Sequence, residues 1–213
     1  FLSAHSAAVR YLLSRLLGPQ AAFLLEGGVA GQRLLGQVFQ PSTFAVFLLL
    51  SLYLFLAGRR TLAILPLALA VSVHPTYLLG GALLTLAYLW VLWRESGSLG
   101  PPLRYGAGML AEVAPILAYT LLNFRPTSAG AYAEAQDLLV NFRIPPHAIL
   151  GNWLDWTVAV KLLGIGLALV LVRRRPLFPV LAGVAAGALV LTLLTAALGS
   201  QTLALLFPWR ISV

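Results

Sequence analysis

The segment from Asn141 to His147 carries the most distinctive group of reactive side chains, immediately before an apolar stretch. Arg143 presents a planar fork of donors that suits phosphate or carboxylate, and His147 can exchange a proton near neutral pH. The Pro145-Pro146 pair between them stiffens the chain. The pattern predicts a place that holds a phosphorylated lipid head group, with ordinary anchoring at a membrane interface as the alternative.

A second candidate is His74, which follows a long apolar run and precedes Pro75. A histidine at membrane depth is costly and usually has a partner. The residues leave two interpretations equally open. His74 is either a ligand or acid–base group at the mouth of a cavity, or a cap of the helix that begins at Pro75.

Three further charged side chains lie beside or within apolar stretches. Asp155 stands between two tryptophans that mark a membrane interface, and its carboxylate could pair with Arg143, His147 or Lys161. Lys161 either extends towards the interface or pairs inside the helix bundle. Glu112 lies about two turns into an apolar segment, where we expect it to meet a partner.

The last candidate is Arg210, in the segment Phe207-Pro208-Trp209-Arg210, which has the composition of an interface anchor with a cation. The residues do not identify a catalytic group. The candidate substrate-binding residues are His74, Arg143, His147, Asp155 and Arg210.

The sequence lacks the motifs of the common cofactor and metal sites. It has no cysteine, no nucleotide-binding glycine loop, no serine-nucleophile elbow and no acidic pair placed for a metal. We therefore predict no metal site and identify no cofactor. Gly183 and Gly187 match the GxxxG pattern, which favours close packing of helices.

The composition indicates a membrane protein. Of the 213 residues, 60% are hydrophobic and 9% are charged, whereas soluble domains contain about 25% charged residues. The mean hydropathy is +0.92. The net charge of +8 does not predict nucleic-acid binding, because the basic residues form short clusters at the ends of apolar runs, as they do in membrane proteins. The expected partner is the lipid bilayer.

The expected fold is an all-α, polytopic transmembrane helix bundle with short and broken helices, forming a single transmembrane domain over residues 1–213. Residues 1–40 should contain an interfacial helix, Phe1–Leu17, followed by a loop, and residues 124–147 should form an outer loop. A helix packed against other protein is the alternative for Phe1–Leu17. The predicted membrane helices are 42–57, 62–73, 75–93, 103–123, 156–172 and 177–198. The chain begins at Phe1, and its last residues read as the start of a further apolar segment. We therefore expect it to be a fragment.

The apolar run from Thr61 to Trp93 has 33 residues, about 50 Å as one helix, which exceeds a hydrocarbon core of about 30 Å. A turn at His74-Pro75 would place seven arginines on one side of the membrane. A single crossing would divide the arginines four against five. The positive-inside rule favours the turn, and the candidate residues then face the non-cytoplasmic side. The seven arginines are Arg59, Arg60, Arg94, Arg104, Arg173, Arg174 and Arg175.

Four stretches together resemble an uncharacterised group of bacterial polytopic membrane proteins, which in turn resembles the superfamily C glycosyltransferases. They are 40–44 (QPSTF), 73–77 (VHPTY), 143–147 (RIPPH) and 207–210 (FPWR). The resemblance implies a sugar transfer from a polyprenyl-phosphate donor on the non-cytoplasmic face. It also implies an acidic catalytic residue after a first span, which would lie before Phe1. Glu26 does not match that position.

These observations lead to a principal hypothesis and two alternatives. The protein is either a glycosyltransferase-like protein that handles a polyprenyl-phosphate-linked sugar, or a transporter or flippase, or a non-catalytic structural membrane subunit. Broken helices and the charges of Glu112, Asp155 and Lys161 are the arguments for transport. The excess of arginine over lysine and the single methionine fit a GC-rich bacterial genome. We therefore expect a multi-pass protein of the bacterial inner (plasma) membrane.

Overall fold

A computed structural model describes residues 6–32 and 41–212 of the chain, and within these ranges the protein contains helices and turns but no strands. The helices are α1 Ala7–Leu17, α2 Ala45–Leu56, α3 Arg60–Val73, α4 Tyr77–Ser96, α5 Gly100–Asn123, α6 Ala129–Asp137, α7 Pro145–Ala148, α8 Leu150–Trp153, α9 Trp156–Val172, α10 Phe178–Leu198 and α11 Gln201–Ala204. The all-α prediction is therefore confirmed.

Three helices, α4, α5 and α10, are long and apolar enough to cross a membrane. Three shorter apolar helices, α2, α3 and α9, accompany them. Much of their surface is exposed leucine, such as Leu163 at 74% and Leu193 at 59%. Apolar side chains on the outside of a helix are stable where the surroundings are also apolar, so these helices indicate a membrane protein.

The chain reverses at His74-Pro75, as the sequence predicts. Helix α3 ends at Val73, His74 has an extended backbone, and α4 starts at Tyr77. An ion pair joins Arg60, the first residue of α3, to Glu95 near the end of α4. The two helices therefore run antiparallel. Gly81 permits their close approach, because a Cβ there would lie 2.6 Å from Cγ2 of Val71.

Helices α2 to α5 enclose the larger hydrophobic core. Ser51 of α2 donates to the carbonyl of Ala63 in α3 at 2.8 Å, which fixes the register of that pair. The rings of Phe55 and Tyr88 stack at 3.9 Å between centroids, and Tyr105 of α5 meets both edge-on. The stack joins three helices and holds one end of the bundle together.

Helix α10 packs antiparallel on α4 through the predicted glycine pattern. A Cβ on Gly183 would lie 3.5 Å from Ala87, and one on Gly187 would lie 2.6 Å from Leu83. The small residues thus bring the two helices into direct contact. This contact is also what carries the end of α10 towards the turn at His74.

These connections give the bundle two different ends. The basic end comprises the segments 57–60, 94–104 and 173–179, and it holds the seven arginines that the predicted turn brings together. The polar end comprises the turn at 74–76 and the segments 18–32, 124–157 and 199–212. All five candidate residues lie at the polar end.

Several segments differ from the expectation. The predicted outer loop contains α6, a π-helical segment at Leu138–Arg143 and α7. The predicted loop after α1 includes 3₁₀ turns at Pro19–Phe23 and Val29–Gly31. Ser128 caps α6, and prolines start α7 and the turn at Pro19–Phe23. Hydrophobic periodicity does not report such local signals. Within the predicted interfacial helix and loop of residues 1–40, residues 1–5 and 33–40 lie outside the described ranges.

A helix is present within the predicted segment Phe1–Leu17 as α1, which Ser6 caps through the backbone N–H of Val9. It buries no residue and exposes Tyr11 at 68% and Leu16 at 70%. Such an apolar exposed side suits contact with lipid. Its polar side turns inward instead, where Arg10 meets Glu26.

Candidate functional site

The segment Gly28–Gln32 forms a loop that several elements of the polar end hold in place. Lys161 of α9 donates to the carbonyl of Gly28 at 3.1 Å, and Val29 donates to the hydroxyl of Ser212 at 2.8 Å. Ala30 has a left-handed backbone with φ 55°, which is unusual for a residue with a Cβ. The surrounding contacts therefore fix a conformation that the isolated segment would rarely adopt.

The carbonyl of Ala30 receives two donors. Nδ1 of His147 lies 2.8 Å away, and the side-chain amide of Gln32 donates to the same oxygen at 3.3 Å. Because a carbonyl only accepts, Nδ1 of His147 carries the proton and Nε2 of the neutral ring is an acceptor. Gly31 is left-handed with φ 66°, and a Cβ there would lie 3.3 Å from the His147 ring.

Gln32 connects this loop to Arg210. The amide oxygen of Gln32, a side chain that is almost completely buried, accepts from an Nη of Arg210 at 2.8 Å. The guanidinium also lies over the ring of Tyr77, 5.7 Å from its centroid. Within residues 6–32 and 41–212, no carboxylate pairs with Arg210, and its buried Nε has no hydrogen-bond partner. Arg210 is thus a cation held by neutral groups.

His74 lies beside the same cation. Its Nδ1 accepts the backbone N–H of Thr76 at 3.3 Å and lies 2.7 Å from the Thr76 hydroxyl. The neutral ring therefore carries its proton on Nε2, which makes it a donor. Burial, and then the charge of Arg210, hold the pKa of His74 below its ordinary value of 6.5. His74 therefore closes the turn between α3 and α4 through Thr76 and lies near enough to Arg210 for that charge to act on it.

The segment before Arg210 explains how this side chain is positioned. Phe207 has a left-handed backbone with φ 50°, and Pro208 then starts a tight 3₁₀ turn. Trp209 is buried and donates its indole N–H to the hydroxyl of Thr192 at 2.8 Å. It packs with Val29, so the turn that carries Arg210 and the Gly28–Gln32 loop share one small core.

An apolar groove ends at Arg210. Its walls come from α2, α4 and α10, and among the described residues that line it Arg210 is the only polar one. The walls include Leu49 and Leu52 of α2, Leu84 of α4, and Leu181 of α10. The groove therefore combines a single cation with surfaces that suit a hydrocarbon chain.

Asp155 serves as a helix cap. Its Oδ1 accepts from the backbone N–H groups of Thr157 at 2.9 Å and Val158 at 3.1 Å, and from the Thr157 hydroxyl at 2.6 Å. Burial alone would raise the pKa of Asp155, but these hydrogen bonds and the charge of Lys161 lower it below its ordinary value. Of the pairings predicted for Asp155, only the one with Lys161 appears, as an electrostatic interaction.

The structure does not bring the remaining charged candidates to Arg210. Arg143 is exposed at the end of the π-helical segment. Glu112 is also exposed, on α5, and within the described residues it forms no ion pair, so the expected partner inside the span is not found there. Lys161 is committed to the carbonyl of Gly28.

Sequence reasoning did not find Gln32, Tyr77 or the buried ion pair of Arg10 with Glu26. In that pair, Nε of Arg10 lies 3.1 Å from Oε1 of a Glu26 side chain that is 3% exposed. Glu26 is one of only six acidic residues in an apolar chain, and that rarity was the available signal. Gln32 carries no such signal, because its role depends on a contact with Arg210, 178 positions away.

Comparisons of the chain with protein-family models, curated proteins and solved structures find no match.

Proposed function

We propose that this protein crosses the bacterial inner membrane several times and binds a polyprenyl-phosphate-linked sugar at its polar end, as a glycosyltransferase or a non-catalytic relative of one. Arg210 carries the proposal, because this cation has neutral partners and stands at the head of an apolar groove. The polar end faces the non-cytoplasmic side in this proposal, since the seven arginines gather at the opposite end.

A lipid-linked phosphate has two requirements that the groove and Arg210 meet together. Its hydrocarbon chain needs an apolar channel, which Leu49, Leu52 and Leu181 offer. Its phosphate needs a cation whose charge is not already neutralised. Arg210 satisfies this requirement because Gln32 and Tyr77, its partners, are uncharged.

The two histidines of the polar end offer opposite groups to a ligand. The neutral His74 ring offers an Nε2–H donor, and the neutral His147 ring offers an Nε2 acceptor. A donor suits a phosphate oxygen, whereas an acceptor suits a sugar hydroxyl. In a transfer from this donor, the polyprenyl phosphate leaves with the electrons of its bond to the sugar. A fixed cation stabilises that developing charge.

Transport receives less support from the same contacts. A transporter needs ionisable groups in the bundle that change partners during the cycle. Asp155 caps α9 through three hydrogen bonds, Lys161 holds the Gly28 carbonyl, and Glu112 is exposed. None of these three groups lines the groove that ends at Arg210.

Photo-crosslinking in a bilayer tests the proposal. We expect a polyprenyl-phosphate-sugar probe with a photoreactive chain to label the full-length protein, and Arg210→Gln to weaken binding at least about tenfold, because a hydrogen bond to a charged group is lost. Arg125→Gln is the matched control, since Arg125 is exposed at the same end and donates to a backbone carbonyl at the end of α5.

A second variant separates loss of binding from loss of folding. Leu49→Trp fills the groove from a position that is 50% exposed and leaves every charge in place. It should also reduce labelling. Equal labelling of the wild type, Arg210→Gln and Leu49→Trp would refute the proposal.

A further inference from the structure

A separate cavity of about 540 Å³ opens at the basic end, where the ends of α2 and α4 meet the start of α10. Its floor is apolar and includes Phe55, Val91 and Phe178. Its rim is charged and includes Arg60, Arg94 and Glu95. It lies at the opposite end of α4 from Arg210 and shares no lining residue with the groove there.

The charge at this end is strongly positive. Glu95 is the only acidic residue in the segments that form it, against seven arginines. Arg60 pairs with Glu95 and lies over the ring of Phe55 at 5.7 Å. Arg94 lies over the ring of Trp90 at 5.9 Å. The aromatic rings thus hold both guanidinium groups at the boundary between the apolar floor and the charged rim.

We propose that this cavity binds an anionic phospholipid of the surrounding membrane leaflet. The rim offers its arginines to a phosphate, and the floor offers apolar surface to the first part of an acyl chain. A soluble anion would meet the same rim but leave Phe55, Val91 and Phe178 against water. Basic cavities between the ends of membrane helices are recognised sites for acidic lipid head groups.

Trp90 and Trp93 support a lipid occupant, because they place this cavity at the depth of the membrane interface. Their rings lie 5.0 Å apart near the end of α4, and they are 52% and 39% exposed. Exposed tryptophans are enriched where head groups meet acyl chains. A lipid that lies beside them has its phosphate at the level of the arginine rim. The occupant is therefore a lipid that diffuses in from the bilayer.

Glu95 sets the strength of this site. It neutralises part of the charge of Arg60, so a lipid phosphate must share that guanidinium with a carboxylate. Removal of the Glu95 charge should therefore strengthen lipid binding, whereas removal of the Arg94 charge should weaken it. Opposite effects from neighbouring residues are difficult to produce by general damage to the fold.

The experiment measures the association of spin-labelled phosphatidylglycerol with the full-length protein in phosphatidylcholine vesicles. Spin-labelled phosphatidylcholine in the same vesicles is the reference. We expect a preference for phosphatidylglycerol that falls about fivefold in Arg94→Gln and rises in Glu95→Gln. Arg104→Gln is the matched control, because Arg104 is exposed at the same end but does not line the cavity.

Equal losses in Arg94→Gln and Arg104→Gln would show only a general attraction to a charged surface and would overturn the proposal. So would the absence of any preference over phosphatidylcholine. The inference does not depend on the proposed function. Arg94→Gln should leave labelling by the polyprenyl-phosphate probe unchanged, and Arg210→Gln should leave the phosphatidylglycerol preference unchanged.

Discussion

The two ends of the bundle hold similar cations in different ways. At the basic end, Arg60 is 41% exposed and pairs with Glu95, which is 50% exposed. At the polar end, Arg210 is partly buried, receives neutral partners, and stands on a turn fixed by a buried tryptophan. An exposed charge is screened by water and its side chain moves freely. A partly buried charge with neutral partners is less screened and remains available to attract an anionic ligand. The position of arginine alone therefore does not reveal its role.

The largest expected effect is a loss of stability when packing at the polar end is removed. We expect Trp209→Ala to destabilise the protein by about 3–5 kcal/mol, because a large buried side chain is removed and leaves a cavity. Thermal unfolding in detergent measures this loss. Trp90→Ala is the control at the basic end, where a side chain that is 52% exposed should cost less than half as much. Similar losses in the two variants would mean that the ends do not differ in packing.

A change of pH should affect binding at the polar end but not at the basic end. Because the pKa of His74 lies below its ordinary value of 6.5, the ring is neutral at pH 7 and becomes a second cation near Arg210 only as the pH falls below 6.5. Binding of the polyprenyl-phosphate sugar, a phosphodiester of constant charge, should strengthen from pH 7 to pH 5. His74→Gln should abolish the change. Lipid association at the basic end should stay constant, since arginine does not titrate there.

The lowered pKa of His74 also affects the ligand-free protein, where acid should reduce the folding stability. The unfolded chain takes up the His74 proton more readily than the folded chain. The stability that His74 contributes is therefore fully present above pH 6.5 and declines as the pH falls below that value. Unfolding midpoints of the wild type and His74→Gln between pH 8 and pH 5 provide the measurement. Parallel curves would contradict the assigned direction of the pKa shift.

The smallest expected effect concerns the basic end. Arg60→Gln removes an ion pair whose side chains are both about half exposed, so we expect a loss of about 0.2–1 kcal/mol in the free energy of unfolding. The loss should shrink at high salt, where the pair is screened. A double-mutant cycle with Glu95→Gln isolates the pairwise energy. A coupling above about 2 kcal/mol would indicate that this pair is as rigidly held as the polar end.

The sequence predicts the fold better than the site, and particular residues show why. The turn at His74-Pro75 and the packing at Gly183 and Gly187 follow from local rules, since proline disrupts a helix and glycine admits a neighbour. These predictions are confirmed by the contacts of α3, α4 and α10. Helix ends agree within a few residues.

The site depends on which distant residues meet, and local patterns do not contain that information. The fold places His74, His147 and Arg210 at the polar end. Nothing in their spacing indicates that the buried amide of Gln32 contacts both Arg210 and the Ala30 carbonyl on which His147 lies. Asp155 has the sequence pattern of a helix cap before Thr157, and its three local hydrogen bonds account for it. Arg143 stands out in the sequence but is exposed in the fold.

The loop at Ala30 and Gly31 also constrains how this protein can diverge. Position 31 is left-handed, and a Cβ there would press on the ring of His147 at 3.3 Å, although 116 residues separate the two positions. Substitutions at 31 and 147 should therefore occur together in any descendant lineage. A larger residue at 31 would be tolerated only beside a smaller one at 147, so two distant columns of an alignment would record a single contact.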